Sequence, residues 1–153
     1  MFVDLDQFKI VNDTLGHSAG DQLLQVVARR LEGCLRQTDL VARFGGDEFV
    51  IIVPQLGSLD DVKEIAGKLL RVLAQPTELG GKRISNSASI GIALFPQDGA
   101  ESETLLKHAD AAMYQAKAQG RNGFQFFSKE MERKVQESLC RVEVDESGVE
   151  PTR

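Results

Sequence analysis

Apolar residues recur along this chain with two periods, and the switches between them outline its elements. Met1 to Leu5 is an apolar run of strand length, and Phe8, Val11 and Leu15 follow at i, i+3 and i+7 as a short helix ended by Gly16-His17. Leu23, Leu24, Val27, Leu31 and Leu35 form one stripe, which predicts a second helix, and Ser18-Ala19-Gly20-Asp21 ahead of it has the form of a capping box. Leu40 to Phe44 alternates as a strand. Phe49 to Val53 is continuously apolar and stopped by Pro54, which predicts a strand buried on both faces. Gly45-Gly46 between these strands marks a hairpin, because glycine reaches the positive φ that a tight turn needs.

The second half repeats the pattern. Ser58 to Asp61 carries another cap signature, and Val62, Ile65, Leu69, Val72 and Leu73 make the stripe of a third helix stopped by Pro76. Gly80-Gly81 marks a second hairpin. Ile84 to Phe95 reads as a strand in which Gly91 is either a bulge or a point of close backbone approach. Ser102 is the expected cap of a fourth helix with inner face Leu105, Ala109, Ala112, Met113 and Ala116. Gly120 stands where a C′ glycine belongs, and Gly123 to Phe127 is a last strand. The order is α+β, a ferredoxin-like βαββαβ core with a central antiparallel sheet flanked by helices and extended by a hairpin, a helix and a strand. In that plan the first and third strands are neighbours, so Asp4 is expected beside the hairpin carrying Asp47. Lys129 to Cys140 is charged and weakly helical, and Val142 to Arg153 reads as disordered tail or linker, so residues 1–127 are the domain and 128–153 its appendage.

At 153 residues, 42% apolar and 27% charged, the chain suits one domain with a sizeable core. A net charge of −5 argues against a broad nucleic-acid interface. No run approaches the roughly 20 apolar residues of a membrane span. Cys34 and Cys140 share no ligand or disulfide spacing, which fits a reducing cytoplasm. Met1-Phe2-Val3 opens directly into a core strand, so preceding sequence is expected.

The chemistry centres on two acidic groups, Asp4 and Asp6 at the end of the first strand and Asp47-Glu48 at the hairpin. Carboxylates from separate strands at one sheet edge repel each other and ask for a hard cation. No His/Cys cluster argues for zinc. The turn at Asp6-Gln7-Phe8 would aim backbone N–H groups at an anion. On residue chemistry alone Asp21 reads as the capping acid and His17 as a loop residue. Likewise Lys117 and Arg121 read as cations at a helix C-terminus, and Arg36 and Asp39 as a solvated turn.

Phe2 to Lys9, Asn12-Asp13, Gly16-His17, Gly20-Asp21, Arg43 to Phe49, Ser89-Ile90-Gly91 and the Ala109-Asp110, Tyr114, Ala116-Lys117, Gly120-Arg121-Asn122 series together resemble the GGDEF domain of bacterial diguanylate cyclases. The resemblance runs from residue 1 to about residue 127. It implies a palm-like fold, as in nucleotide cyclases and polymerases, lacking the family's segment before the first strand. Exposed apolar surface and a tendency to aggregate or swap elements are then expected.

The implied activity is the condensation of two GTP into cyclic di-GMP across a homodimer of facing domains. Asp4, the Leu5 carbonyl and Asp47 would hold Mg²⁺ (or Mn²⁺). Asp47 is the implied base, and Glu48 assists. Asn12 and Asp21 would read guanine, with His17 and Phe8 in the same substrate site, while Lys9, Lys117 and Arg121 would meet phosphates. Arg36 and Asp39 match the family's RxxD inhibitory site for cyclic di-GMP. The alternative is a non-catalytic module that binds cyclic di-GMP or GTP and regulates another domain; the intact acids argue against it.

Overall fold

The computed structural model describes residues 1–146. β1 (Phe2–Leu5) leads into α1 (Phe8–Leu15) and α2 (His17–Cys34), and β2 (Leu40–Gly45) and β3 (Glu48–Ile52) form a hairpin followed by α3 (Leu59–Leu73). β4 (Thr77–Leu79) and β5 (Lys82–Ile84) make a small separate hairpin. β6 (Ala88–Ile92), α4 (Ser102–Ala118), β7 (Gly123–Phe126) and α5 (Lys129–Glu146) complete the chain.

The main sheet runs β2-β3-β1-β6-β7. β1 is antiparallel to both β3 and β6, β2 is antiparallel to β3, and β7 lies parallel to β6 at the edge. The first four are the ferredoxin-like order, so the palm architecture expected from the sequence is the one observed, with β1 at its centre.

Alternation along β1 sorts its side chains. Val3 and Leu5 enter the main core with Leu23, Leu31, Phe49, Ile51, Val62 and Leu69, on the side covered by α2 and α3. Phe2 and Asp4 take the other face, where Phe2 packs on Ala109 and Met113 of α4. Gly91 lets α4 come this close: a Cβ there would lie 1.8 Å from the Ala109 carbonyl oxygen and 2.3 Å from the Met113 nitrogen. Of the two readings of Gly91, close approach is therefore the one realised, and the β1–β6 register is unbroken.

Several local expectations are corrected. β3 is not buried on both faces: Phe49 and Ile51 are buried, whereas Ile52 is 55% exposed. The cause is that α4 covers β6, β7 and β1 but not the hairpin. An apolar groove of about 610 Å³, lined by Val50, Ile52, Val53, Phe95, Leu105 and Leu106 among others, is left on that side. Ser18 is not a cap, since α2 already begins at His17 and Gly16 is its N-cap, at φ 89°. Ser102 is likewise the first helical residue of α4 rather than its cap. Ser58 does cap α3, accepting from the Asp61 N–H at 3.3 Å. The strand expected over Ile84–Phe95 is broken at 85–87, because Ile84 pairs within the small hairpin and the chain then crosses to the main sheet.

Gly120, at φ 116°, closes α4 in a Schellman arrangement, with Gly120 N–H on the Lys117 carbonyl and Arg121 N–H on the Ala116 carbonyl. The helix begun at Lys129 extends through Val142 to Glu146, beyond the weakly helical stretch expected to end at Cys140. The rest of the expected tail, 147–153, lies outside the described residues. No helix among the described residues is long and apolar enough to cross a membrane.

Candidate active site

The hairpin turn is Gly46-Asp47 rather than Gly45-Gly46, since Gly45 still pairs in β2. Gly46 takes φ 46°, which lets the chain reverse over two residues and leaves Asp47 at the corner. Arg43 Nε donates to the Gly46 carbonyl at 2.9 Å, tying the turn to its own strand. The Leu5 N–H donates to the Asp47 carbonyl at 3.2 Å, and Asp4 lies directly across from Glu48 in the β1–β3 register. Central β1 and a tight hairpin thus bring Asp4, Asp47 and Glu48 to one corner, as the topology predicted.

The corner is crowded with negative charge. Burial, with a further push from Asp47, raises the Asp4 carboxyl to about 6 despite the opposing pull of Lys117. Glu48 is raised by burial and then by Asp110 and Asp47, again opposed by Lys117, and Asp110 is raised by burial. Lys117 Nζ stands 3.0 Å from Asp4 Oδ1. The ammonium is within hydrogen-bonding distance of that buried oxygen. A buried carboxylate, a second carboxylate alongside and the nearby Leu5 carbonyl fit a hard cation that takes oxygen ligands, and the Lys117 ammonium stands against that carboxylate here. Among the described residues no three His, Cys, Asp or Glu side chains converge as a full cage. Two carboxylates and a carbonyl would leave positions for water and phosphate, the usual way Mg²⁺ is bound.

The remaining sequence-predicted residues divide into three places. Phe8 and Asn12 meet at Gly20, where α1 packs on α2. Gly20 makes this packing possible: a Cβ there would sit 1.8 Å from Asn12 Oδ1 and 3.3 Å from the Phe8 ring. Asp21 is exposed and lines a cleft of about 470 Å³ with Leu24, Gln25, Arg43 and Phe49. It caps nothing, because α2 starts four residues earlier, at His17. His17 and Lys9 are exposed and make no polar contact with the acidic corner among the described residues. Arg121 follows α4 on an exposed turn whose next residue, Asn122, is tied by its N–H to Asp6 Oδ2 at 3.0 Å. Arg36 and Asp39 lie apart, in the turn entering β2 at the opposite end of the hairpin from Asp47. There the Arg36 N–H donates to Asp39 Oδ2 at 2.8 Å and the guanidinium Nε lies 3.6 Å from the same oxygen.

Sequence reasoning placed Asp6 only as a member of the acidic group with Asp4, and assigned no role to Gly20 or Asp110, nor to Arg43 as the brace of the turn. Gly20 and Asp110 carry no periodic signal, but Asp6 stands two residues from Asp4 and so on the same side of the strand line, a hint that was available.

Comparison with known proteins adds independent information. The family described as "Diguanylate cyclase, GGDEF domain" matches residues 1–123. The bifunctional diguanylate cyclase/cyclic di-GMP phosphodiesterase MucR of Pseudomonas aeruginosa is 47% identical over 139 residues, 91% of this chain and 20% of that protein. The cyclic di-GMP phosphodiesterase NbdA of the same organism is 44% identical over 131 residues, 86% of this chain and 17% of NbdA. The solved GGDEF domain of TpbB, also from Pseudomonas aeruginosa, superposes with a TM-score of 0.84 at 43% identity, covering 88% of this chain and 79% of that one. This chain spans about a fifth of MucR and less of NbdA, so it corresponds to one region of those relatives. Residue spacing, sheet order and family match agree, and the chain belongs to the GGDEF domain family.

Proposed function

We propose that this domain is a diguanylate cyclase unit that condenses two GTP into cyclic di-GMP, each of two facing copies holding one GTP. The observation that supports this most is the acidic corner: Asp4, Asp47 and Glu48 are all present, adjacent and only partly neutralised by Lys117. Mg²⁺ or Mn²⁺ held by Asp4, the Leu5 carbonyl and Asp47 would neutralise triphosphate charge and stabilise displacement at phosphorus. Asp47 accepts the proton of the 3′-hydroxyl. That oxygen bonds to the α-phosphorus of the facing GTP as the bond to the pyrophosphate oxygen breaks, and a second such step closes the ring. Glu48 supports the corner from the adjacent strand position.

Asn12 and Asp21 read guanine, because a carboxylate accepts from the N1–H and N2–H₂ edge and an amide pairs with O6 or N3. Phe8 and His17 border this site. Lys9, Lys117 and Arg121 bind phosphates, Lys117 leaving Asp4 to do so. Arg36 and Asp39 bind cyclic di-GMP as an inhibitory site, where an arginine fork suits guanine and phosphate alike. A cytoplasmic setting follows from the use of GTP.

A second reading, a non-catalytic cyclic di-GMP or GTP-binding regulatory module, draws support from NbdA, which is named for phosphodiesterase activity alone. Incubation with GTP and Mg²⁺, with Asp47→Ala as control, separates the two. Cyclic di-GMP from the parent and none from the variant supports the cyclase. No product from folded parent, with cyclic di-GMP binding that Arg36→Ala abolishes, establishes the regulatory module for this chain.

A further inference from the structure

Asp6 is 2% exposed, and no cation pairs with it among the described residues. Burying a carboxylate in this way is costly unless donors satisfy it. Its two oxygens are supplied from two other segments of the chain. The Ser89 hydroxyl donates to Oδ1 at 2.7 Å, the Ser87 hydroxyl to Oδ2 at 2.6 Å, and the Asn122 N–H to Oδ2 at 3.0 Å. The Asp6 N–H in turn donates to the Ser87 carbonyl at 2.8 Å.

The Asn122 contact bears on the site. Gly120, Arg121 and Asn122 are consecutive residues at φ 116°, 62° and 46°. Left-handed backbone is natural for glycine and unfavourable for arginine, so this turn needs something to hold it. On one side the Schellman bonds of α4 hold it, and on the other the Asp6 carboxylate does. Both oxygens of Asp6 are already engaged by hydroxyl and backbone donors, whereas Asp4 Oδ1 faces the Lys117 ammonium.

We infer that Asp6 is a positioning residue that fixes the Gly120-Arg121-Asn122 turn, and so the Arg121 guanidinium, for contact with the substrate's phosphates, rather than a ligand of the metal. The inference rests on the proposed GTP-binding role of Arg121. Asp6→Ala removes the tether. Asp6→Asn can keep it: the amide oxygen accepts from Ser87 and Asn122 while the amide N–H₂ donates to the Ser89 hydroxyl, which rotates to accept.

Two measurements test this. The first is amide hydrogen exchange of the parent, which involves no nucleotide: the Asn122 N–H, on an exposed residue, is expected to be strongly protected. Exchange at the free rate overturns the tether whatever the protein binds.

The second is calorimetric binding of GTP and of guanosine, with EDTA present so that no effect runs through a metal. Asp6→Ala and Arg121→Ala are each expected to weaken GTP by roughly tenfold, the size of one charge-assisted hydrogen bond. The double variant should lose no more than the worse single, guanosine affinity should be unchanged, and Asp6→Asn should recover most of the loss. Additive losses, or equal losses for guanosine, overturn the inference in favour of a general structural role. Loss of Mn²⁺ binding in Asp6→Asn with metal-free GTP affinity intact overturns it in favour of a metal ligand. A parent that binds no GTP overturns the inference and the GTP-binding reading of Arg121 together. Protected Asn122 exchange in that case shows the failure to be in the substrate reading and not in the tether.

Discussion

Neutralising Asp4 should make the protein more stable while destroying its proposed chemistry. Asp4→Asn keeps the shape of the side chain and removes a charge whose carboxyl is raised from 3.8 to about 6 chiefly by burial. Between those values the folded protein holds a proton that the unfolded chain releases, so stability falls as pH rises through the window. Above pH 6 the ionised group costs about 3 kcal/mol, at ~1.4 kcal/mol for each of roughly two units. The variant leaves Lys117 without its partner, but that side chain is 26% exposed and reaches water. The attraction to Lys117 is already contained in the net shift, so the gain stays at ~3 kcal/mol, a rise in Tm of roughly 9 °C. The assay is urea and thermal unfolding of parent and variant from pH 8 down to pH 4. The gain should be full at pH 8, about half as large near pH 5 and nearly absent by pH 4. Added Mg²⁺ should stabilise the parent and not the variant. A variant no more stable than the parent at pH 8, or a gain independent of pH, would refute the reasoning that this carboxylate is held against its own desolvation.

Gly91→Ala forces a Cβ into the backbone of α4 at Ala109 and Met113. It should lower stability by ~3 kcal/mol, at the upper end for overpacking, as read from the urea midpoint. Gly20→Ala meets mainly the mobile end of Asn12, so it should leave the urea midpoint within about 1 kcal/mol while weakening GTP roughly tenfold and narrowing the preference over ATP, measured by competition binding. Arg36→Ala leaves the backbone link from residue 36 to Asp39 in place. Cyclic di-GMP affinity should therefore drop at least about tenfold with stability changed by less than ~0.5 kcal/mol, a split that isothermal titration and thermal melts resolve.

What could be read beforehand follows from how local each signal is. The stripes of α2, α3 and α4, the Ser58 cap and the Gly120 stop lie within a few residues of what they determine. The neighbourhood of Asp4 and Asp47 followed from strand order, because β1 and β3 are adjacent in the ferredoxin-like plan. The failures are of another kind. Whether β3 is covered on both faces depends on where α4 lies, fifty residues on, and the strand break at 85–87 depends on which sheet Ile84 joins. Ser18 has the right spacing for a cap, but Gly16 had already turned the chain into α2. Asp6 is joined to Ser87, Ser89 and Asn122 across separations of 81, 83 and 116 residues, and no local pattern announces such bonds.

Those separations also govern the order of events in folding. β1 precedes the other strands of its sheet in the chain and is the central one in the finished sheet, flanked by β3 and β6. Phe2 and Val3 can pair with β3 once the hairpin exists, but the other edge of β1 must wait for β6, at Ala88–Ile92. Closing loops of this length is entropically slow, and the waiting strand is a ready partner for another chain. The acidic corner draws on β1, the hairpin and α4 at once, so no partly folded chain contains it. The proposed Mg²⁺ and GTP would bind only after β1 has been enclosed, which would place their stabilising effect on the last, cooperative stage of folding. A chaperone that sequesters short apolar segments would act on this domain at β1.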